Sequence, residues 1–216
     1  MAGFNVRSVL VTGAIGESWV FGTCRDPEGE RAQQLKNLAS RHPNLAIVAL
    51  GGCPALDSEL RLPCSGSLCG GGWELTRGCS FLPIAQAFLP LLKKAAQGSP
   101  QPGLSCSKAA IVNMSSEGGS ITNLFAWQLG QVVSYRCSKA ALNMLTKCQS
   151  LGYEGDGILS IAVHPGWVQT DMGSSASHQA PLTVEVSVQG ILNVLSTLSK
   201  KDNGAFVSWE GKVLPW

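Results

Sequence analysis

The chain has 216 residues, 44% of them hydrophobic and 14% charged, with a formal net charge of +2. That length suits one domain with a proper core, and the low charge argues against general disorder. With no basic stripe, nucleic acid is not expected as a partner. No apolar run approaches the ~20 residues that cross a bilayer, and residues 1–11 enter a strand-like run without a signal-peptide layout. The cytosol is the expected location. None of the eight cysteines stands in a C-x-x-C spacing and no His completes a zinc pattern, so reduced thiols are expected, with no metal or disulfide.

Taken in order, Ser8-Val9-Leu10-Val11 reads as a buried strand ending in Thr12-Gly13-Ala14. Trp19-Val20-Phe21 with Thr23 reads as a second strand, ending at Cys24-Arg25-Asp26-Pro27. Asp26 and Pro27 then open a helix over 28–40, with Leu35 and Leu38 on its apolar side. Residues 45–50 are apolar throughout, as in a parallel strand covered on both faces. Strand, helix, strand of this kind predicts an α/β domain with a mostly parallel sheet. One conflict stands out: the stretch between the first two strands is far shorter than the dozen or so residues of a parallel crossover. Those strands form a hairpin, or the sheet order is disturbed, or a crossover helix is missing.

Residues 51–80 are rich in Gly, Cys, Ser and Pro and follow neither structural period. They read as an irregular insertion, or as ordinary domain sequence replaced by splicing or a frame change. Order resumes at Phe81: Ile84, Ala85, Phe88, Leu89 and Leu92 recur at helical spacing over 81–97, with Pro90 expected to kink the helix. A Ser/Pro/Gly-rich loop leads to a strand at 109–114, then a long helix over 134–151 and a strand at 158–163. Thr183 can cap a helix over 184–199, and a last short strand covers 205–207.

Three stretches carry chemistry: I-V-N-M-S-S at 111–116, Y-R-C-S-K at 135–139 and H-P-G-W-V-Q-T-D-M at 164–172. Tyr135 and Lys139, four apart at a helix start, share one face. A free phenol titrates near ~10, and a neighbouring ammonium favours its ionised form. Ser115 or Ser116, at a strand end, could hydrogen-bond an oxygen that becomes negative when a carbonyl is reduced. Together, and in this order, the stretches resemble the short-chain dehydrogenase/reductase family. P-L-L-K-K-A-A, S-K-A-A-L-N-M and the tail G-A-F-V-S-W-E-G-K-V-L-P-W are similar to its C-factor or sniffer-type carbonyl reductase branch.

The resemblance implies one Rossmann-like, doubly wound domain over 1–216 and NADP-dependent reduction of a carbonyl. Tyr135 would protonate the carbonyl oxygen, Lys139 would assist it and hold the nicotinamide ribose, and Ser116 would orient the carbonyl, with Ser115 in reserve. Pro165, Gly166, Val168 and Thr170 would hold the nicotinamide end, and Asn113 would support the strand end. Leu124, Phe125, Trp127 and Trp167 would line an apolar substrate wall, against a plain packing role. Cys137 reads as a packed side chain and His164 as structural. Arg25, following the second strand, suits the 2′-phosphate of NADP. A homodimer through helices 81–97 and 134–151 is implied as well.

The chain departs from the family at T-G-A-I-G-E-S-W, where only Thr12, Gly13 and Gly16 remain of the Gly-rich turn that receives a pyrophosphate. An acidic residue after the third strand is replaced by Leu50-Gly51-Gly52, the N-N-A-G strand end is absent, and an asparagine of the proton relay falls near Arg77 by spacing. A second reading follows: a non-catalytic relative or splice product with a damaged cofactor site, acting through dimerisation or not at all.

Overall fold

The computed structural model describes residues 20–24, 28–29, 33–41, 45–49, 81–100, 102–128, 131–170, 172–173 and 179–216. The expected strand at Ser8-Val9-Leu10-Val11, the turn residues Thr12, Gly13 and Gly16, Arg25, and the stretch 51–80 lie outside them. Strand β1 (Val20–Cys24), helix α1 (Gln33–Arg41) and strand β2 (Leu45–Ala49) form a strand–helix–strand unit. The two strands pair in parallel, Val20 opposite Leu45 and Cys24 opposite Ala49. Helix α1 starts later than the sequence suggests: Glu28 and Gly29 sit in a turn, and the regular helix begins at Gln33.

Helix α2 (Phe81–Gly98) runs through Pro90. A second sheet follows, built from β3 (Ala110–Met114), β4 (Leu159–His164) and β5 (Phe206–Ser208), all parallel in the order β3-β4-β5. Helix α3 (Val133–Tyr153) connects β3 to β4, and α4 (Val184–Thr197) connects β4 to β5. Each crossover is thus helical, as parallel neighbours require. Thr183 caps α4, its Oγ1 accepting from the Val186 amide at 3.3 Å. The helix stops at Thr197, two residues short of the expected end.

The two faces of this sheet are packed by different chemistry. Leu159, Ile161 and Val163 of β4 and Val207 of β5 turn to one face and meet Val194, Leu195 and Leu198 around α4. The other face of β4 presents Ser160 and Ala162, both fully buried, towards α3. There Asn113 donates to Thr146 Oγ1 (2.9 Å) and Gln149 Oε1 (2.8 Å). Further along the same face, Leu92 and Ala96 of α2 pack with Ala109 and Ile158. Helices cover both faces, and the fold is the α/β Rossmann-like arrangement expected from the sequence.

Small residues on the α3 side let that helix lie close to the sheet, and polar ones fix its register. The helix therefore carries its polar residues inwards: Asn143, Thr146, Gln149 and Ser150 are buried, whereas Val133, Met144 and Leu151 are 57%, 65% and 73% exposed. Leu142 is the fully buried apolar residue of the helix, and the rest of it runs against the usual amphipathic pattern.

Candidate active site

Two consecutive serines follow strand β3, and the alternation of an extended chain sends them opposite ways. Ser115 turns inwards: it is buried, and its Oγ donates to Asn143 Oδ1 at 2.5 Å. Ser116 caps the one-turn helix Glu117–Gly119, its Oγ accepting from the Gly118 amide at 3.1 Å. That turn lies against the start of α3. A Cβ placed on Gly118 would stand 3.4 Å from Ser116 Oγ and 3.7 Å from Tyr135 Cε1. One placed on Gly119 would stand 2.7 Å from the Lys139 main chain, closer than real atoms approach. Only glycine lets the turn dock so tightly. Asn143 completes the dock, donating to the Gly119 carbonyl at 3.3 Å.

Lys139 reaches back along the same face. Its Nζ donates to the Met114 carbonyl at 2.8 Å and stands 5.7 Å from the centroid of the Tyr135 ring. Ser116, Tyr135 and Lys139, chosen from the sequence, are brought together at the β3 end. Asn113 is not at that surface, since both hydrogens of its amide are spent on Thr146 and Gln149. Cys137 is an exposed free thiol on α3, and burial pushes the Cys106 thiol up to about 11, so Cys106 stays protonated at neutral pH.

The turn after β4 is held by its own contacts. Gly166 has φ +84°, and a Cβ there would run into Leu182. Ser187 Oγ donates to the Pro165 carbonyl at 2.6 Å, and Trp167 Nε1 donates to the Gly173 carbonyl at 2.9 Å. Val168 bridges Leu182 through its neighbours: Gln169 N donates to Leu182 O (2.8 Å) and Leu182 N to Trp167 O (3.2 Å). The amide and carbonyl of Val168 itself therefore face away from Leu182. Thr170 Oγ1 accepts from the Gly173 amide at 3.2 Å, closing the turn.

His164 ends β4 beside this turn. Burial pushes its pKa down to about 4, and its Nδ1 is buried without a hydrogen-bond partner among the described residues. Glu117 Oε2 lies 3.7 Å from His164 Nε2, beyond hydrogen-bond length, so at neutral pH the contact joins a neutral ring to a carboxylate. The unfolded chain takes up that proton near the ordinary 6.5, while the folded chain refuses it until about 4. Stability is full above that window and falls as pH drops through it. Between pH 7 and pH 5 we expect a loss of roughly 1–2 kcal/mol that His164→Gln lacks. Thermal melts of both proteins at the two pH values check it; equal losses would refute the assignment.

The family model for short chain dehydrogenases matches residues 80–181, which include all three residues gathered at the β3 end. The NADPH-bound carbonyl reductase from chicken fatty liver superposes with TM-score 0.78 at 48% identity, covering 92% of this chain and 84% of that one. The chain belongs to the short-chain dehydrogenase family. Carbonyl reductase Sniffer of D. melanogaster is similar too, with TM-score 0.74 and 32% identity over 92% of this chain and 88% of that one. The C-signal protein of Myxococcus xanthus is 40% identical over 87 residues, which are 40% of this chain and 51% of that protein. The chain spans about half the length of curated relatives it matches, 51% of the C-signal protein and 53% of an uncharacterized oxidoreductase of Schizosaccharomyces pombe. Among the described residues no helix is long and apolar enough to cross a membrane.

Sequence reasoning missed several residues that build this site. Asn143 links Ser115 to the Gly119 carbonyl, and Arg136 binds the loop before α3, its Nη2 donating to the Phe125 carbonyl at 2.9 Å. A polar residue every three or four positions along α3 was the available signal. It reads as a solvated face until the partners on β3 are known.

Proposed function

We propose that the chain is a cytoplasmic carbonyl reductase that uses NADPH to turn a small-molecule carbonyl into an alcohol. One observation carries this reading: Ser116 Oγ and the edge of the Tyr135 ring converge on Gly118, with the Lys139 ammonium 5.7 Å from that ring. Tyr135 gives its phenolic proton to the carbonyl oxygen and recovers one from solvent. Ser116 donates a hydrogen bond to the same oxygen, where negative charge develops. Lys139, held by the Met114 carbonyl, sets its ammonium beside the phenol. Leu124, Phe125, Trp127 and Trp167 supply the apolar wall that receives the rest of the substrate.

The turn after β4 suits the nicotinamide end of the cofactor. The Val168 amide, turned away from Leu182, offers a donor of the kind a carboxamide needs, while the Val168 carbonyl accepts from the Thr170 amide at 2.8 Å and so helps shape the turn. Pro165, Gly166 and Thr170 shape that turn, and Lys139 is the donor placed for a ribose hydroxyl. Arg25, after the last residue of β1, is assigned to the 2′-phosphate, with Thr12, Gly13 and Gly16 on the pyrophosphate. When bound, NADPH supplies the hydride that reaches the carbonyl carbon.

The reading includes a homodimer through α2 and α3. Its support is the outward apolar stripe of α3, where Val133, Met144 and Leu151 lie exposed over a polar buried face, with Leu91 of α2 exposed as well. A second copy of the chain is the partner that the stripe fits.

A second reading keeps the fold and gives up the chemistry. It is favoured by β1 starting at Val20, which leaves no room after Gly13 for a phosphate-binding helix. The chain would then act through pairing alone. Thermal melting with and without NADPH separates the two. At about 100 times its dissociation constant a ligand adds about 2.7 kcal/mol, and a clear rise in melting temperature is expected. An unchanged melt at saturating NADPH would decide for the second reading.

A further inference from the structure

Residues 121–128 and 131–132, between the Ser116 turn and α3, set Ile121, Leu124, Phe125 and Trp127 at the surface. The segment also passes through positive φ at two side-chain-bearing residues, Ala126 (55°) and Val132 (26°). Both features cost free energy, so the loop keeps one shape only when its main chain is tied from outside.

Two outside ties are present. Arg136, the residue after Tyr135, donates from Nη2 to the Phe125 carbonyl at 2.9 Å and from Nε to the Gln131 carbonyl at 3.0 Å. Its guanidinium also lies over the Trp127 ring, 5.5 Å from the centroid. The other tie comes from the far end of the sequence: the Thr122 amide donates to the main-chain oxygen of Trp216 at 2.8 Å. Trp216 is itself anchored. Its ring stacks on the buried Phe206 of β5 (centroids 5.5 Å apart, planes 22°), and Lys147 Nζ of α3 lies 5.8 Å from its centroid. Two residues earlier, Leu214 N donates to the Phe206 carbonyl at 2.7 Å. The sheet therefore holds the tail, and the tail holds Thr122. The next residue, Asn123, is tied locally, its amide donating to Ser120 Oγ at 2.9 Å.

We infer that Trp216 is a positioning residue: by fixing Thr122 it sets where Leu124 and Phe125 stand in the loop that Arg136, the neighbour of Tyr135, also holds, and so selects which carbonyl compounds fit. The inference rests on the carbonyl reductase reading of the Ser116–Tyr135–Lys139 site. The contacts of Trp216 given by the structure are with Thr122, Phe206 and Lys147, so its effect falls on substrate fit and leaves proton transfer alone. Its substrates are carbonyls carrying an aromatic or branched apolar group, which need the wall; a small aldehyde does not.

Two variants test this, Trp216→Ala, which removes the anchoring ring, and a chain ending at Pro215, which removes the acceptor as well. Amide exchange at Thr122 should quicken roughly tenfold in the shortened chain, while the β4 amides of Ile161 and Val163 keep their protection. With NADPH, KM for an aryl ketone should rise about three- to tenfold, with kcat for a small aldehyde within about twofold of the parent. Parent-like exchange at Thr122, or an unchanged KM for the aryl ketone, would overturn the inference. Loss of protection at Ile161 would also overturn it, since the residue would then serve the whole fold. A parent chain that reduces neither carbonyl overturns the carbonyl reductase reading instead. Exchange at Thr122 then decides the tie to the tail by itself.

Discussion

Tyr135→Phe is expected to lower carbonyl turnover by about 10²–10⁴-fold and to leave the rise in melting temperature with NADPH intact. The substitution removes one oxygen and its proton and leaves the ring beside Gly118 and Lys139 in place. The fold, and the contacts proposed for the cofactor at Lys139 and the β4 turn, should therefore be untouched, while the proposed proton donor is gone. The loss should appear in kcat and kcat/KM alike, because the proton moves only in the transition state. Steady-state rates and melts on the same preparation check it. Turnover within about tenfold of the parent would remove Tyr135 from the role of acid. A shift that vanishes with the hydroxyl would mean the phenol is a binding group instead.

If the chain pairs through α2 and α3 as proposed, placing Asp at both Met144 and Leu151 is expected to yield a monomer without unfolding it. Both side chains are largely exposed in the single chain, so its own core loses nothing when they change. In a paired molecule each apolar side chain taken from water is worth about 1.5–3 kcal/mol, and the pair of copies contributes each one twice. Four carboxylates in the same seam would also repel one another. Light scattering with size-exclusion chromatography checks the mass, and far-ultraviolet circular dichroism the fold. A parent chain that runs as a monomer would sink the homodimer proposal. A double variant that stays dimeric would place the interface elsewhere.

The fold was legible where a local signal coincided with a global one. Residues 45–50 and 158–163 read as strands because they are mostly apolar and short, and parallel strands form at Leu45–Ala49 and Leu159–His164. Thr183 was found as a cap because a side-chain oxygen three residues before an amide is a local matter. The start of α1 was misplaced because Asp26 and Pro27 make a plausible opening, whereas Glu28 and Gly29 form a turn. Of the site, Tyr135 and Lys139 could be paired from their spacing alone. Nothing local tells Ser115 from Ser116; the difference is that Asn143, almost thirty residues on, takes the first serine's hydroxyl.

By itself the sequence determined the alternation of strands and helices and the order in which the serine, tyrosine and lysine arrive at strand and helix ends. Hydrophobic period, chain breakers and residue type act over a few positions, and those positions are contiguous. Only the tertiary structure decided which way α3 faces. A stripe of Val133, Met144 and Leu151 would ordinarily be read as the buried side. Here β4 offers Ser160 and Ala162, and β3 offers Asn113, so the polar side of the helix is the one that finds partners. The tie from Trp216 to Thr122 was equally invisible, because it joins main-chain atoms nearly a hundred residues apart. Main-chain groups are the same in every residue, and only the folded path of the chain says which of them meet.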